Sequence, residues 1–239
     1  MGLVRMGPPE ELIQKLVSRS YIEIFVETGT YYGRTSVWAS KIFKNVFTIE
    51  YSREIFEIVS SKHSNIENIK FSFGDSRSQL SKVLEEIKGP ALFWLDAHWS
   101  GGLTYGDNDQ CPLIQEINIL NSTGQDHFIL IDDARLFLSP PQPPHEINQW
   151  PSISEVINAL RFKFPDKYIV VIEDVIVAVP DSAKSVVADY CQKVNAKIWD
   201  DRSKFIKQSN LQKGLNLITV DLKSRIKYMT TYLGNPFSS

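Results

Sequence analysis

Short apolar runs that end in polar turns alternate along the chain with segments whose apolar residues recur at helical spacing. Tyr21 to Val26 is rich in β-branched and aromatic residues and leads into Glu27-Thr28-Gly29-Thr30 and Gly33, which predicts a buried strand breaking into a tight turn. Val37, Trp38, Ile42 and Phe43 then predict a helix over Arg34 to Phe43. Strands follow over Asn45–Tyr51, Ile69–Phe73, Ala91–Ala97 and His127–Asp133. The last two are continuous apolar runs, as expected of strands buried on both faces of a parallel sheet. Ser52 is a fitting N-cap for a helix carrying Ile55, Phe56 and Val59, and further helices are expected over Arg77–Ile87, Cys111–Leu120 and Ser152–Phe162. Pro8 and Pro9 open a helix through Arg19 with acids in its first turn, and Asp181–Lys193 predicts another. Tyr168–Pro180 reads as two strands hinged at Glu173-Asp174. Two segments lack a period: HWSGGLTYGDNDQ after the fourth strand, and RLFLSPPQPPHEINQWP, whose five prolines make it either a stiff flap or a rigid linker. Near the end, LNLITVDL suits a short strand. The pattern as a whole is that of an α/β protein.

Three successive strands end in an acid: Glu27, then Glu50, then Asp75 in the turn Gly74-Asp75-Ser76. Gly29 lets the chain turn and a ligand approach the backbone, and the helix start beyond it offers free N–H groups. The spacing is ExGxxxG, not the GxGxxG dinucleotide fingerprint. Glu50 stands about 20 residues past Gly29, where a carboxylate can accept both ribose hydroxyls of an adenosine. The plainer alternative is that the three acids are solvated strand ends. A second group gathers at the fourth and fifth strands: Asp96 ends one, Asp132 and Asp133 the other. If neighbouring, these carboxylates repel unless a cation such as Mg²⁺ neutralises them; otherwise one caps the next helix and another pairs with Arg135. His98, two residues beyond Asp96, is a candidate general base or proton relay, or else orients its loop.

With these residues the chain resembles the class I S-adenosylmethionine-dependent methyltransferases over roughly Tyr21 to Pro180. Glu27 to Gly33 match that family's first motif, Glu50 its ribose acid, and Asp75-Ser76 its adenine-edge turn. The resemblance implies a Rossmann-like, doubly wound, mostly parallel seven-stranded sheet with an antiparallel last strand and helices on both faces. It implies adenosylmethionine as cofactor, held by Glu27, Thr28, Gly29, Thr30, Gly33, Glu50, Tyr51, Asp75 and Ser76, with Glu27 on the methionine moiety. FWLDAHW and ILIDDAR look like the metal-binding segments of cation-dependent O-methyltransferases of the catechol and macrocin (sugar) types. That likeness implies Mg²⁺ or another divalent cation on Asp96, Asp132 and Asp133; the catalytic residues expected are then Asp96, through the ion, and His98, from its place beside Asp96. The catechol type carries a lysine base where this chain has Ser100, which favours a saccharide over a phenolic hydroxyl; Trp99, Tyr105 and Trp150 could stack on either. The competing readings are a non-catalytic adenosylmethionine-binding protein and a nicotinamide-dependent oxidoreductase.

Composition narrows the picture further. The length of 239 residues with 43% hydrophobic content suits one α/β domain with extensions: a helical extension over 1–20, the catalytic domain over 21–180, and a helix with a basic tail over 181–239. Net charge is −2, which argues against general nucleic-acid binding, although the last 59 residues hold 10 Lys+Arg against 5 Asp. Cys111 and Cys191 offer neither a disulfide framework nor metal-ligand spacing; Cys111 is either an activated thiol or a small buried side chain. No apolar run approaches a membrane span and the first residues lack a signal-peptide core, so a cytoplasmic protein is expected, acting on a small-molecule or saccharide acceptor, with a homo-oligomer allowed.

Overall fold

The computed structural model describes residues 7–99, 106, 109–207, 219–221 and 223. The chain divides into two compact units, Met1–Ala188 and Asp189–Ser239. In the first, seven strands form one sheet: β1 (Ile24–Thr28), β2 (Asn45–Glu50), β3 (Ile69–Phe73), β4 (Leu92–Leu95), β5 (Phe128–Ile131), β6 (Tyr168–Ile172) and β7 (Val175–Val179). Their order is β3-β2-β1-β4-β5-β7-β6, with β7 antiparallel to both neighbours and the other pairs parallel. This is the Rossmann-like methyltransferase topology. The strand order reverses between β1 and β4, and at such a switch point the carboxyl ends of the strands open a crevice.

The apolar pattern explains the layering. Every residue of β4, β5 and β7 is buried, as befits strands covered on both faces. Alternation then separates the faces. Val26, Ile49, Phe93, Leu95, Ile129 and Ile131 point into a core shared with Leu80 and Val83 of α4 (Ser76–Glu86), Leu113, Ile117 and Leu120 of α5 (Leu113–Ser122), and Val156 and Leu160 of α7 (Ile153–Arg161). On the other face Phe25 meets Trp38 of α2 (Arg34–Ala39) edge-on, with ring centroids 6.5 Å apart. The period-2 rule places Glu27, Thr48 and Glu50 on this second face.

Local signals set the remaining ends. Ser52 caps α3 (Arg53–Lys62), and Ser152 with Glu155 forms a capping box on α7, which contributes about 1 kcal/mol. Glu173 and Asp174 both have positive φ, the geometry of a tight two-residue hairpin turn between β6 and β7. The helix expected over Arg34 to Phe43 stops at Ala39, and α1 runs Glu10–Ser20. The proline-rich segment holds a short helix, α6 (Arg135–Leu138), and a 3₁₀ turn, Ile147–Gln149. The helix expected over Asp181–Lys193 is a 3₁₀ turn, Asp181–Ala183, followed by α8 (Lys184–Lys207). Of the strand expected over LNLITVDL, Thr219–Asp221 is helical and the rest lies outside the described residues. No described helix is long and apolar enough to cross a membrane.

At the amino edge of the sheet, buried Lys167 donates to Asp126 and to the His127 carbonyl (2.7 Å), and burial holds its pKa below the ordinary value. Removing the partner leaves a buried ammonium without its counter-charge. Asp126→Ala is therefore expected to cost about 2–4 kcal/mol in urea denaturation, with Lys167→Met recovering much of it in the double variant.

Candidate active site

Three strand ends build the first half of the site. β1 ends in Glu27-Thr28, and the chain turns at Gly29, whose φ of +85° is left-handed. A Cβ there would strike the Asp96 carbonyl oxygen, so the turn after β1 lies directly against the end of β4. Gly29→Ala is expected to lower stability by more than about 2 kcal/mol, read from a thermal melt, because neither the dihedral nor the contact tolerates a methyl.

Glu27 is 1% exposed. Its Oε2 accepts from the Ser36 hydroxyl of α2 and from Thr48 Oγ1 (2.7 Å), and Thr48 is bonded in turn to Thr30 Oγ1 (2.6 Å). Burial outweighs these bonds and raises its pKa to about 7. Glu50 accepts backbone N–H groups on both oxygens, from Tyr31 and from Ser52, each at 2.8 Å, and burial again raises its pKa. These bonds, with the Tyr51 N–H as a third backbone donor, fix the carboxylate while leaving it acceptor capacity for a ligand hydroxyl. Tyr31, at φ +46°, packs against Tyr32 with the rings tilted and their centroids 4.2 Å apart, and Tyr51 is half exposed beside Glu50. Gly33, also left-handed, precedes α2. At β3, Asp75 caps α4 through the Arg77 N–H and takes the Arg77 guanidinium on both oxygens, at 2.9 and 2.6 Å. Arg77 also reaches Asp109 (2.8 Å).

The second half is acidic. Asp96 follows β4 and Asp132 follows β5, the two strands being paired. Burial, then Asp132 and Asp133, raise the Asp96 pKa well above its ordinary value; burial and Asp133 raise that of Asp132 to about 6. His98 sits between two carboxylates, with Nδ1 3.4 Å from Asp96 Oδ1 and Nε2 2.9 Å from Asp133 Oδ2. Asp133 also pairs with Arg135 (2.6 Å); it is half-buried, and although that desolvation raises its pKa, these partners pull it below the ordinary value. Asp132 Oδ1 accepts the Asp133 N–H (2.8 Å).

Thus the pairing of one strand-end Asp with Arg135 holds in this structure, whereas neither Asp caps the next helix: the N-cap of α6 is Ala134, with no side-chain cap bond. Among the described residues no group of three or more His, Cys, Asp or Glu side chains is placed as a ready metal cage. The donor chemistry nevertheless suits a hard cation: Asp132 and Asp133 both raise the pKa of Asp96, and Asp133 keeps acceptor capacity beyond its two bonds. Cys111 is buried and its thiol is pushed up to about 12, which makes it a packing residue and not an activated thiol. Trp150, read as either a stacking platform for an acceptor or a packing anchor, is only 7% exposed and packs edge-on to His98 at 5.4 Å. Trp99 is half-buried against His145, and Tyr105 and Ser100 lie outside the described residues.

Several supporting residues carry no motif. Gln110 Oε1 accepts from Trp150 Nε1 and the Glu146 N–H, its own N–H donates to Gln149, and its carbonyl accepts from Trp99, so one residue ties the two aperiodic segments together. Asp174, from the hairpin turn, accepts from the Arg135 N–H (2.9 Å) and guanidinium, and so steadies the residue that holds Asp133. Glu116 of α5 is 1% exposed, and burial raises its pKa to about 7. It stands in the apolar stripe Leu113, Ile117, Leu120, where a lone acid is a signal the sequence does offer.

No protein-family model and no curated protein matches the chain. Solved structures do. A provisionally named caffeoyl-CoA O-methyltransferase from Staphylococcus aureus is similar at 12% identity, over 74% of this chain and 85% of that one, with a TM-score of 0.52. The methyltransferase PaMTH1 of Podospora anserina, bound to S-adenosylhomocysteine, follows at 15% identity, over 73% and 79%, with a TM-score of 0.47. SMU.1697c of Streptococcus mutans, a provisionally named methyltransferase in complex with the same product, is at 12%, over 73% and 100%, with 0.45. At such identity the first of these shows the class I methyltransferase fold of this chain and leaves its chemistry to the site.

Proposed function

We propose that the chain is an adenosylmethionine-dependent O-methyltransferase acting on a hydroxyl of a small molecule or saccharide. The observation that carries this reading is the contact between Gly29 and the Asp96 backbone, which sets the nucleoside-type acids Glu27 and Glu50 beside the cluster of Asp96, His98, Asp132 and Asp133. Glu50 would take the ribose hydroxyls, Glu27 the methionine end, and the turn Thr28 to Gly33 would lie along the donor. Glu27 bonded to Ser36 and Thr48 is already oriented, which favours positioning over rearrangement.

A divalent cation such as Mg²⁺ would be held by Asp96, Asp132 and Asp133, and when bound would lower the pKa of an acceptor hydroxyl. The chain's own residues handle the proton. With Nε2–H donated to Asp133, His98 Nδ1 is left as the acceptor, and its positive charge would be stabilised by the carboxylates on either side. The acceptor oxygen attacks the methyl carbon in line; the O–CH₃ bond forms as the C–S bond breaks, S-adenosylhomocysteine leaves, and the acceptor's proton passes to His98.

The test is a methyl-transfer screen with labelled donor over glycans, phenols and polyols, run with Mg²⁺ and with chelator. The reading expects label in a hydroxyl-bearing acceptor, with turnover lost in chelator and restored by Mg²⁺. Transfer to nitrogen or carbon alone, or donor binding without transfer to any class, would count against it.

A further inference from the structure

We infer that Glu116 on α5 accepts the exocyclic amine of the donor's purine and thereby sets a preference for adenine. This rests on the adenosylmethionine reading. The resemblance assigns the adenine edge to Asp75-Ser76, but in this structure both Asp75 oxygens are engaged by Arg77, in a bidentate pair reinforced by the Arg77 N–H. The neighbouring acceptor is in the opposite condition. Glu116 is 1% exposed, close to the Ser76 and Thr28 hydroxyls, and its Oε1 has no hydrogen-bond partner among the described residues; Ser76 Oγ, 3% exposed, has none either. The two hydroxyls lower the Glu116 pKa without supplying a bond of full geometry.

Two orphaned buried oxygens at the carboxyl edge of the sheet mark a place where a polar ligand group is wanted. Glu116 lines a cavity of about 10 Å³ together with Ala97, His98 and Cys111, against an apolar wall that includes Leu95 and Ile131. That is room for one water-sized group. An amine fits, offering a donor to an acceptor. The carbonyl of a 6-oxopurine would set oxygen against carboxylate, and a site built to bond a particular N–H rejects the analogue lacking it.

The experiment is calorimetric titration of the full chain with S-adenosylhomocysteine and with S-inosylhomocysteine, at pH 8, where Glu116 is mainly ionised and acts only as acceptor. The wild type is expected to favour the adenosyl form by roughly 10- to 100-fold. Glu116→Leu is expected to bring the ratio within about threefold by weakening the adenosyl form alone. Glu116→Gln, which keeps the shape and can turn its NH₂ to the carbonyl, should narrow the ratio from the other side, by strengthening the inosyl form; it also keeps the test open if the leucine variant does not fold. A wild-type ratio retained in either folded variant overturns the assignment while leaving adenosylmethionine binding intact. Failure of the wild type to bind either nucleoside overturns both.

Discussion

Asp96→Asn is expected to lower methyl transfer by roughly 100-fold or more in kcat while changing the affinity for S-adenosylhomocysteine by less than about threefold. The asymmetry follows from position. Asp96 touches the turn after β1 through its backbone, against Gly29, while its carboxyl faces His98 Nδ1 and the Asp132 and Asp133 charges, with Glu27 a smaller influence. Asparagine keeps the backbone and the shape and removes the charge that a protonated His98 or a bound cation would need. Parallel calorimetry and initial-rate measurements separate the two effects. An equal loss of binding and turnover would mean that Asp96 is part of the donor site itself.

The unliganded chain is expected to be more stable at pH 6 than at pH 7.5, by about 2 kcal/mol, against the usual sense for acidic residues. Glu27 and Glu116 are each raised by burial from 4.5 to about 7. Between those values the folded state holds protons that the unfolded state has released, so stability rises as pH falls through the folded pKa and the gain is complete only near the unfolded one. Each group contributes about 1.4 kcal/mol per pH unit inside the window. Asp132, at about 6, adds in the same sense. His127, held near 4 by burial and then by Lys167, opposes below its unfolded value of 6.5. His63 and His145, whose pKa values burial also lowers, oppose in the same sense; the two glutamates still leave a net rise, and urea denaturation at the two pH values reads it. Glu27→Gln with Glu116→Gln should flatten the difference; a wild type more stable at pH 7.5 would show that these carboxyls stay ionised in the fold.

The elements that position the site were largely legible because each rests on a short-range signal. Continuous apolar runs gave β4 and β5, a serine N-cap gave α3, and the acids at three strand ends gave the carboxyl edge where the crevice lies. What stayed illegible depends on contacts between segments. That Asp75 is taken by Arg77, only two residues on, turns on side-chain direction at a helix start, which spacing alone does not fix. Asp133 and Arg135 could equally have faced a cation and solvent; the hairpin turn at Asp174, 39 residues away, draws the arginine inward. Trp150 looked like a loop aromatic, but Gln110 satisfies its indole N–H and lets the ring bury beside His98. Glu116 was the reverse case, visible as a lone acid on an apolar helical stripe, yet without meaning until Ser76 and the cavity beside it were in place.

Equilibrium dialysis with labelled adenosylmethionine and labelled nicotinamide dinucleotide, on the wild type and on Glu50→Ala, puts the donor claim to the most direct trial. The account expects adenosylmethionine to be retained at micromolar concentration, weakened at least about tenfold by loss of the Glu50 carboxylate, and the dinucleotide to pass through. Retention of the dinucleotide instead, or adenosylmethionine binding indifferent to Glu50, would contradict it.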